Sequence, residues 1–349
     1  MAAANVVRVT RGTRTESLHA LHGVVVGLKT GVEAGFGDPE LPAFWRSAMK
    51  PFQALPLVAD GAAHAFGFGP EDLALACASH GGTAMHVDRA RAMLERIGTD
   101  VQALICGPHA PFDGASAERI LREGGTFTRL HNNCSGKHTG LLALARHHGW
   151  PLQGYERMDH PVQLRLRGGL SPWLDTDPDE LTWSVDGCGV PTPYLPLRAM
   201  ARAYARLVAA AREGEPAPRA VVEAMTSHPE LTSSASRTPL VLMQATRGRL
   251  LAKEGAEGVL CVAAPREGWA LALKIVDGRR RAVGPAAVEM LVALDLLDGE
   301  ELIGLEEQRH VPVRDTRGQT VGVILGEVEP HLASAPAGGV RPMGGRSGR

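Results

Sequence analysis

Lysine is scarce in this chain: of its 37 basic residues, only five are lysine. Arginine stays charged at physiological pH, whereas a lysine amine can lose its proton when burial or a neighbouring cation lowers its pKa. An uncharged amine can then act as a base or as a metal ligand. Three of the five, Lys50, Lys137 and Lys274, stand in segments that predict one common active site.

Ser47 and Lys50 are the first candidate pair, three residues apart and directly before Pro51. Proline is tolerated in the first turn of a helix, so a helix should begin near Ser47. Residues i and i+3 share one face of a helix, which would bring the hydroxyl and the amine together. A neutral lysine could take the serine proton if its pKa fell from about 10.4 towards 7. The alternative is a capping serine followed by a solvated lysine.

A second lysine in the same pocket would supply the positive charge that lowers such a pKa. Lys274 is the candidate, because Trp269-Ala-Leu-Ala-Leu-Lys predicts a strand whose alternation puts Ala270, Ala272 and Lys274 on one face. The alternative is an edge lysine that extends into solvent.

Ser79 offers a second hydroxyl, in Ala78-Ser-His-Gly-Gly82. The glycine pair would let the backbone approach a ligand closely, which makes Gly82 a candidate for binding substrate. Taken alone, the same segment is typical of the end of a helix.

Polar ligands and donors are concentrated between His131 and His138, directly before an apolar helical segment. Ser135 should cap that helix, and the amides there could hold a carboxylate. Cys134 could bind zinc together with Cys188 and a third ligand, either Lys137 or His138, leaving a fourth position open. Spacing alone also allows buried, inert thiols.

Taken together, six segments resemble the rhizobial-type, or class 3, L-asparaginases. They occur in the family's order, and the resemblance extends from about Val7 to Leu297. The segments are Arg46 to Gln53, Ala78 to Gly82, Cys106 to His109, His131 to His138, Asp186 to Pro191 and Leu273 to Gly278.

The resemblance implies a fold similar to serine β-lactamases and glutaminases, a homodimer, and hydrolysis of L-asparagine to aspartate and ammonia. It implies two catalytic serine–lysine pairs, which by motif match are Ser47 with Lys50 and Ser79 with Lys274. We prefer Ser47 as the nucleophile, because the start of a helix favours developing negative charge.

The resemblance also implies a zinc ion near the substrate, held by Cys134, Lys137 and Cys188. Such a zinc would orient the substrate rather than activate water. The predicted substrate-binding residues are Arg46, Gly82, Asn133, His138 and Asp186.

Other functions remain open at this point. A glutaminase or another serine amidase of the penicillin-recognising type would share Ser47 and Lys50, and a catalytically silent zinc protein would use the cysteines structurally. A purely metal-activated hydrolase is disfavoured, because histidine-rich ligand spacing is absent from the sequence. The segment 232–239 departs from the family pattern, which usually has a glycine-containing stretch there.

Composition bounds the class of protein. The chain has 349 residues, a formal net charge of -1 and few aromatic residues, so it lacks the charge and stacking surface of a nucleic-acid binder. No apolar segment is long enough for a membrane span, and the N-terminus does not resemble a secretory signal. We expect a cytoplasmic enzyme with reduced cysteines that acts on a small molecule.

The element pattern predicts an α/β or α+β fold, with an antiparallel sheet flanked by helices and a helix-rich middle. We expect one catalytic domain over 1–328 and a disordered tail over 329–349. Helices are predicted from Ser47, from Pro70 and near 86–97, 137–149, 195–213 and 284–298. Strands are predicted at 259–263, 269–276 and 321–325, with a hairpin around 29–31.

Overall fold

The computed structural model of the protein describes residues 5–28 and 33–332. Within these ranges no helix has the length and apolar character needed to cross a membrane. The strands are β1 (Val6–Arg11), β2 (Arg14–Gly27), β3 (Glu33–Phe36), β4 (Pro42–Phe44), β5 (Thr182–Val185), β6 (Pro191–Pro196), β7 (Leu251–Gly255), β8 (Val259–Ala264), β9 (Trp269–Ile275), β10 (Val311–Arg314), β11 (Thr320–Glu327) and β12 (His331–Leu332).

The α-helices are α1 (Lys50–Ala59), α2 (Ala62–Ala65), α3 (Pro70–Ala76), α4 (Ala84–Arg96), α5 (Gly114–Arg122), α6 (Ser135–His148), α7 (Pro161–Gly168), α8 (Leu197–Arg212), α9 (Pro216–Ser227), α10 (Pro229–Thr232), α11 (Thr238–Ala245), α12 (Val283–Ala293), α13 (Gly299–Gly304) and α14 (Glu306–Arg309). Short 3₁₀ helices lie at Arg46–Met49, Val101–Ala103, Arg129–His131, Pro178–Glu180 and Arg280–Ala282.

One large sheet organises the molecule. Its strands follow the order β10-β11-β1-β2-β9-β8-β7, with β3 also paired to β2 and β12 paired to β3. Every pairing in it is antiparallel. A small separate sheet has the order β4-β6-β5. The predicted α+β class with an antiparallel sheet and flanking helices is confirmed.

The two faces of the large sheet bury two different cores, and β9 shows how the sequence separates them. Trp269, Leu271 and Leu273 lie in the core shared with α11 and α12. Ala270 and Ala272 alternate with them and lie in the core shared with the helix-rich middle of the chain. Small residues on that second face leave room for the helices, as the alternation predicted.

Most predicted elements are found within a few residues of their expected bounds. The predicted helix at 284–298 ends earlier, at Ala293, and β7 was not among the predicted strands. The β2 and β3 strands of the predicted N-terminal hairpin pair with each other, while its turn at 29–31 lies outside the described residues. His331–Leu332 form a short strand at the start of the predicted tail, and 333–349 lie outside the described residues.

Candidate active site

Lys50 lies at the junction of the 3₁₀ helix Arg46–Met49 and α1, with only 1% of its surface exposed. Its Nζ donates to the carbonyl oxygen of Ala78 (2.5 Å), to Ser79 Oγ (3.1 Å) and to Cys134 Sγ (3.2 Å). A lysine ammonium has three N–H donors and no acceptor, so these three partners match a charged Lys50.

Ser79 is shared between two lysines. Besides the contact with Lys50, its Oγ lies 2.8 Å from Nζ of Lys253, which also donates to the carbonyl oxygen of Glu254 at 2.9 Å. Ser79 and Lys253 are buried, with 5% and 2% of their surfaces exposed. One hydroxyl therefore lies within hydrogen-bond distance of two buried amines, whereas the sequence predicted two separate pairs, Ser47 with Lys50 and Ser79 with Lys274.

The second amine is not the predicted one. Lys274 is half-buried at the end of β9, and its Nζ donates to the carbonyl oxygens of Glu257 (2.6 Å) and Ile275 (2.5 Å). The prediction that Lys274 pairs with Ser79 is therefore wrong, because its amine is held by backbone at the end of its strand.

Sheet order explains why Lys253 takes this place. Lys253 pairs across the sheet with Cys261, and Cys261 pairs with Ala272, so Lys253 lies on the face that the helix-rich middle covers. β7 ends the large sheet and packs against the 3₁₀ helix that carries Ser47. Lys274 lies on β9, two strands further in than β7, opposite Val259 of β8.

Burial and the neighbouring charge of Lys50 hold the pKa of Lys253 well below its ordinary value. Both effects act against the charged form of an amine. Of the two amines at Ser79, Lys253 is therefore the candidate for the neutral, proton-accepting one.

Ser47 lies in the 3₁₀ helix and is half-buried. Its side chain forms no hydrogen bond within residues 5–28 and 33–332, and the Nζ of Lys50 reaches across to Ser79 instead. The residue before it, Arg46, has a φ of +54°, which a non-glycine residue seldom adopts. The predicted Ser47–Lys50 contact is not formed here, although the two residues are neighbours on the chain.

Cys134 and Cys188 do come together, as predicted. A hydrogen bond from the Cys188 thiol, with the charges of Lys50 and Lys137, holds the pKa of Cys134 well below its usual range in spite of burial. The same hydrogen bond, together with burial, raises the pKa of Cys188. The pair thus combines a thiolate at Cys134 with a thiol at Cys188.

Lys137 and His138 complete this cluster from the first turn of α6. Nζ of Lys137 donates to Cys188 Sγ at 2.8 Å. Burial opposes the charged form of Lys137, but the two cysteines outweigh it and raise its pKa. Burial and the charge of Lys137 lower the pKa of His138 to about 4, and its Nε2 is buried without a hydrogen-bond partner in the described part of the chain.

The predicted N-cap of α6 is not formed. Ser135 is the first residue of the helix rather than its cap, and its hydroxyl donates to the carbonyl oxygen of Leu130 at 3.0 Å. The described residues contain no group of three or more His, Cys, Asp or Glu side chains placed to hold a metal ion. A metal held by this cluster would have to use the lysine amine.

The predicted substrate-binding residues line the same region. Arg46 Nε donates to Asp186 Oδ1 at 2.7 Å, and Asp186 also acts electrostatically on Lys137, which connects this ion pair to the thiol cluster. Asn133 Oδ1 lies 3.2 Å from His109 Nε2 and 3.5 Å from Cys134 Sγ.

Gly82 has a φ of +74°, and a Cβ there would lie 2.9 Å from the carbonyl oxygen of His131. Only glycine fits this position without strain. Its amide donates to Nδ1 of His80 at 3.1 Å, so it is already engaged within the protein and is not a free donor for an oxyanion.

The atypical segment 232–239 packs directly on the site. The amide of Ser79 donates to the carbonyl oxygen of Thr232 at 3.0 Å. A Cβ at Gly81 would lie 3.1 Å from the Cβ of Ser234. The segment therefore contacts Ser79 through Thr232 and lies against the neighbouring Gly81 through Ser234.

Comparison with known proteins gives one finding. The model of a family described as L-asparaginase II matches residues 7–325, nearly the whole chain. A search of curated proteins found no match. The matched range contains Lys50, Ser79, Lys253 and the thiol cluster.

Proposed function

Because the chain belongs to the L-asparaginase II family, whose members are amidohydrolases acting on asparagine, we propose that it hydrolyses L-asparagine through an acyl-enzyme on Ser79. The observation that carries this proposal is the position of Ser79 Oγ, 2.8 Å from Lys253 and 3.1 Å from Lys50. A serine needs a base to become a nucleophile, and a buried neutral lysine can serve as one.

In the first step, Ser79 Oγ forms a bond to the side-chain amide carbon of asparagine while its proton passes to Nζ of Lys253. As this bond forms, the π electrons of the amide C=O move to the carbonyl oxygen, and they return when the nitrogen leaves. Lys50, which donates to Oγ, stabilises the partial negative charge on Oγ while its proton departs. The carbon–nitrogen bond then breaks, and Lys253 returns the proton to the leaving nitrogen, which departs as ammonia.

In the second step, water attacks the ester carbon and Lys253 takes its proton. The ester bond breaks, aspartate is released, and the proton returns to Ser79 Oγ. Lys253 thus acts alternately as base and acid, while Lys50 keeps a fixed charge. This assignment differs from the sequence-based preference for Ser47, whose hydroxyl forms no side-chain hydrogen bond to an amine in the described residues, since Nζ of Lys50 donates to Ser79 instead.

We also propose that Cys134, Lys137 and Cys188 hold a zinc ion, with His138 as a further donor. The donor set fits: two thiols in contact, an amine 2.8 Å from one of them, and an imidazole nitrogen buried without a partner. Thiolates and imidazole are preferred zinc ligands. A bound zinc would supply a positive centre for the α-amino or carboxylate group of the substrate.

Arg46 and Asp186 are the proposed partners of the charged α-carboxylate and α-amino groups. Their ion pair is half-buried and electrostatically connected to Lys137, so both charges face the region of the thiol cluster. A homodimer and a cytoplasmic location remain predictions, which sedimentation and fractionation would test.

The direct test is ammonia release from L-asparagine and from L-glutamine, with and without a chelator. We expect turnover of asparagine, strongly reduced in Ser79→Ala. Preferential turnover of glutamine would replace the substrate assignment, and no turnover of either amide would overturn the proposal. Reduced asparagine affinity after chelation would support the zinc role, whereas unchanged affinity would reject it.

A further inference from the structure

The negative charge of Glu254 acts on the neighbouring Lys253 amine. Glu254 directly follows Lys253 on β7, and only 8% of its side chain is exposed. Its own carbonyl oxygen accepts a hydrogen bond from the Nζ of Lys253. The charge of its carboxylate favours the protonated form of Lys253, which cannot act as a base.

Arg237 supplies the opposite charge. Its guanidinium lies 3.7 Å from the Glu254 carboxylate, and 15% of its side chain is exposed. The guanidinium stacks 4.4 Å from the ring centroid of Phe112, which fixes its place. Among the described residues, Glu254 is the one carboxylate within ion-pair distance of Arg237.

Apart from this ion pair, the Arg237 guanidinium has few hydrogen-bond partners in the part of the chain that the structure describes. Its Nε is buried without a hydrogen-bond partner in the described ranges, and burial lowers its pKa. The pair forms part of the wall of a cavity of about 220 Å³ that Arg280 and Arg281 also line. Burying a guanidinium with an unpartnered nitrogen is costly for folding alone. A role in the chemistry of the neighbouring strand would account for it.

We propose that Arg237 is a positioning residue for catalysis, which neutralises Glu254 and thereby keeps Lys253 in its neutral, proton-accepting form. This inference rests on the function proposed above, because it presupposes that Lys253 is the base.

The charges around Lys253 support this role. Burial, Lys50 and Arg237 all disfavour its charged form, whereas Glu254 and the Cys134 thiolate favour it. The thiols of Cys77 and Cys261 also face Lys253, but burial raises the pKa of each to about 12, so both stay neutral. The groups that could charge Lys253 are thus Glu254 and Cys134, and Arg237 opposes the first.

The test is the pH profile of kcat/KM for asparagine, in which the rising limb reports the base. In Arg237→Gln we expect this limb to move to higher pH by about one unit, since an uncompensated carboxylate raises the pKa of a nearby amine by that order. Glu254→Gln should move the limb to lower pH, and the double variant should return it towards the wild-type position. Arg237→Lys keeps the charge and should largely restore the profile.

Arg309→Gln is the matched control, because Arg309 pairs with Glu289 at 2.6 Å in a half-buried setting outside the site. It should leave the rising limb in place. If the role of Arg237 were purely structural, its replacement would lower activity equally at all pH values. The inference is overturned if the rising limb of the pH profile stays in place in both Arg237→Gln and Glu254→Gln. If Arg237→Gln does not fold, the remaining two variants test the inference: Glu254→Gln should move the rising limb to lower pH, and Arg237→Lys should leave it near the wild-type position.

Failure of this inference is distinguishable from failure of the proposed function. An inactive Lys253→Met enzyme with an unmoved limb in the Arg237 and Glu254 variants would reject only the role of Arg237. An active Lys253→Met enzyme would reject the base itself.

Discussion

Replacing Lys253 by methionine separates the role of its amine from its packing. Methionine keeps most of the volume of the side chain but removes the group that accepts the Ser79 proton. Positioned general bases contribute about 10²–10⁴-fold to rate, so kcat should fall by that factor, which corresponds to about 3–5 kcal/mol.

The fold should tolerate this change. Lys253 forms two side-chain hydrogen bonds, at 2.8 and 2.9 Å, and each contributes about 0.5–1.5 kcal/mol to stability. Their loss costs at most about 1–3 kcal/mol of stability. Removing the amine also removes the cost of burying it, which offsets part of this loss. Chemical denaturation measures this difference directly.

Lys274→Met is the matched control, because it makes the same chemical change on the same sheet at an amine held by backbone carbonyls. Ammonia release should be near wild type in Lys274→Met and nearly abolished in Lys253→Met. The reasoning is refuted if Lys253→Met keeps more than about a tenth of the wild-type kcat, since a general base is worth at least 10²-fold. An inactive but folded Lys274→Met enzyme would refute it equally.

Three further predictions concern pH, metal and substrate. The pKa of Lys253 is lower in the folded protein than in the unfolded chain, so the unfolded chain binds more protons. The stability of wild type relative to Lys253→Met should therefore rise with pH, from the depressed pKa up to about 10.4. A difference in denaturation midpoints that does not change with pH would contradict this. Cys188→Ser should lower bound zinc, measured by elemental analysis, together with asparagine affinity, and a zinc content equal to wild type would exclude Cys188 as a ligand. Asp186→Asn should raise KM for asparagine about tenfold with a smaller change in kcat, because it removes one charge of the pair with Arg46; an unchanged KM would remove Asp186 from the binding site.

Part of the site could be predicted from the sequence, because several of its residues are close along the chain or belong to compact turns. The thiol cluster around Cys134 and Lys137 begins one helix, and Cys188 follows from a turn-rich segment. The alternation that separates Ala272 from Leu271 was also readable, since it depends only on the two-residue period of a strand.

The partner of Ser79 could not be read in the same way. Choosing between Lys253 and Lys274 requires the order of strands in the sheet, and that order is set by long-range pairing. β7 is buried at every position, so its residues show no alternation between apolar and polar side chains that would identify a strand. The scarcity of lysine pointed to two amines in one pocket but did not say which two.

Ser47 illustrates a second limit. The i, i+3 spacing placed Lys50 on the same side of the helix as Ser47, and the 3₁₀ turn that the chain forms there also keeps residues i and i+3 on one side. The long lysine side chain nevertheless reaches Ser79. A flexible four-carbon side chain has a choice of partners that spacing alone does not determine.

The central claim is that the hydroxyl between the two amines carries the acyl group. Rapid acid quenching of the enzyme during turnover of L-asparagine, followed by proteolysis and mass spectrometry, would locate that group. The account predicts an aspartyl ester on the peptide that contains Ser79, and its absence in Ser79→Ala. An ester on Ser47, or turnover without any covalent intermediate, would contradict it.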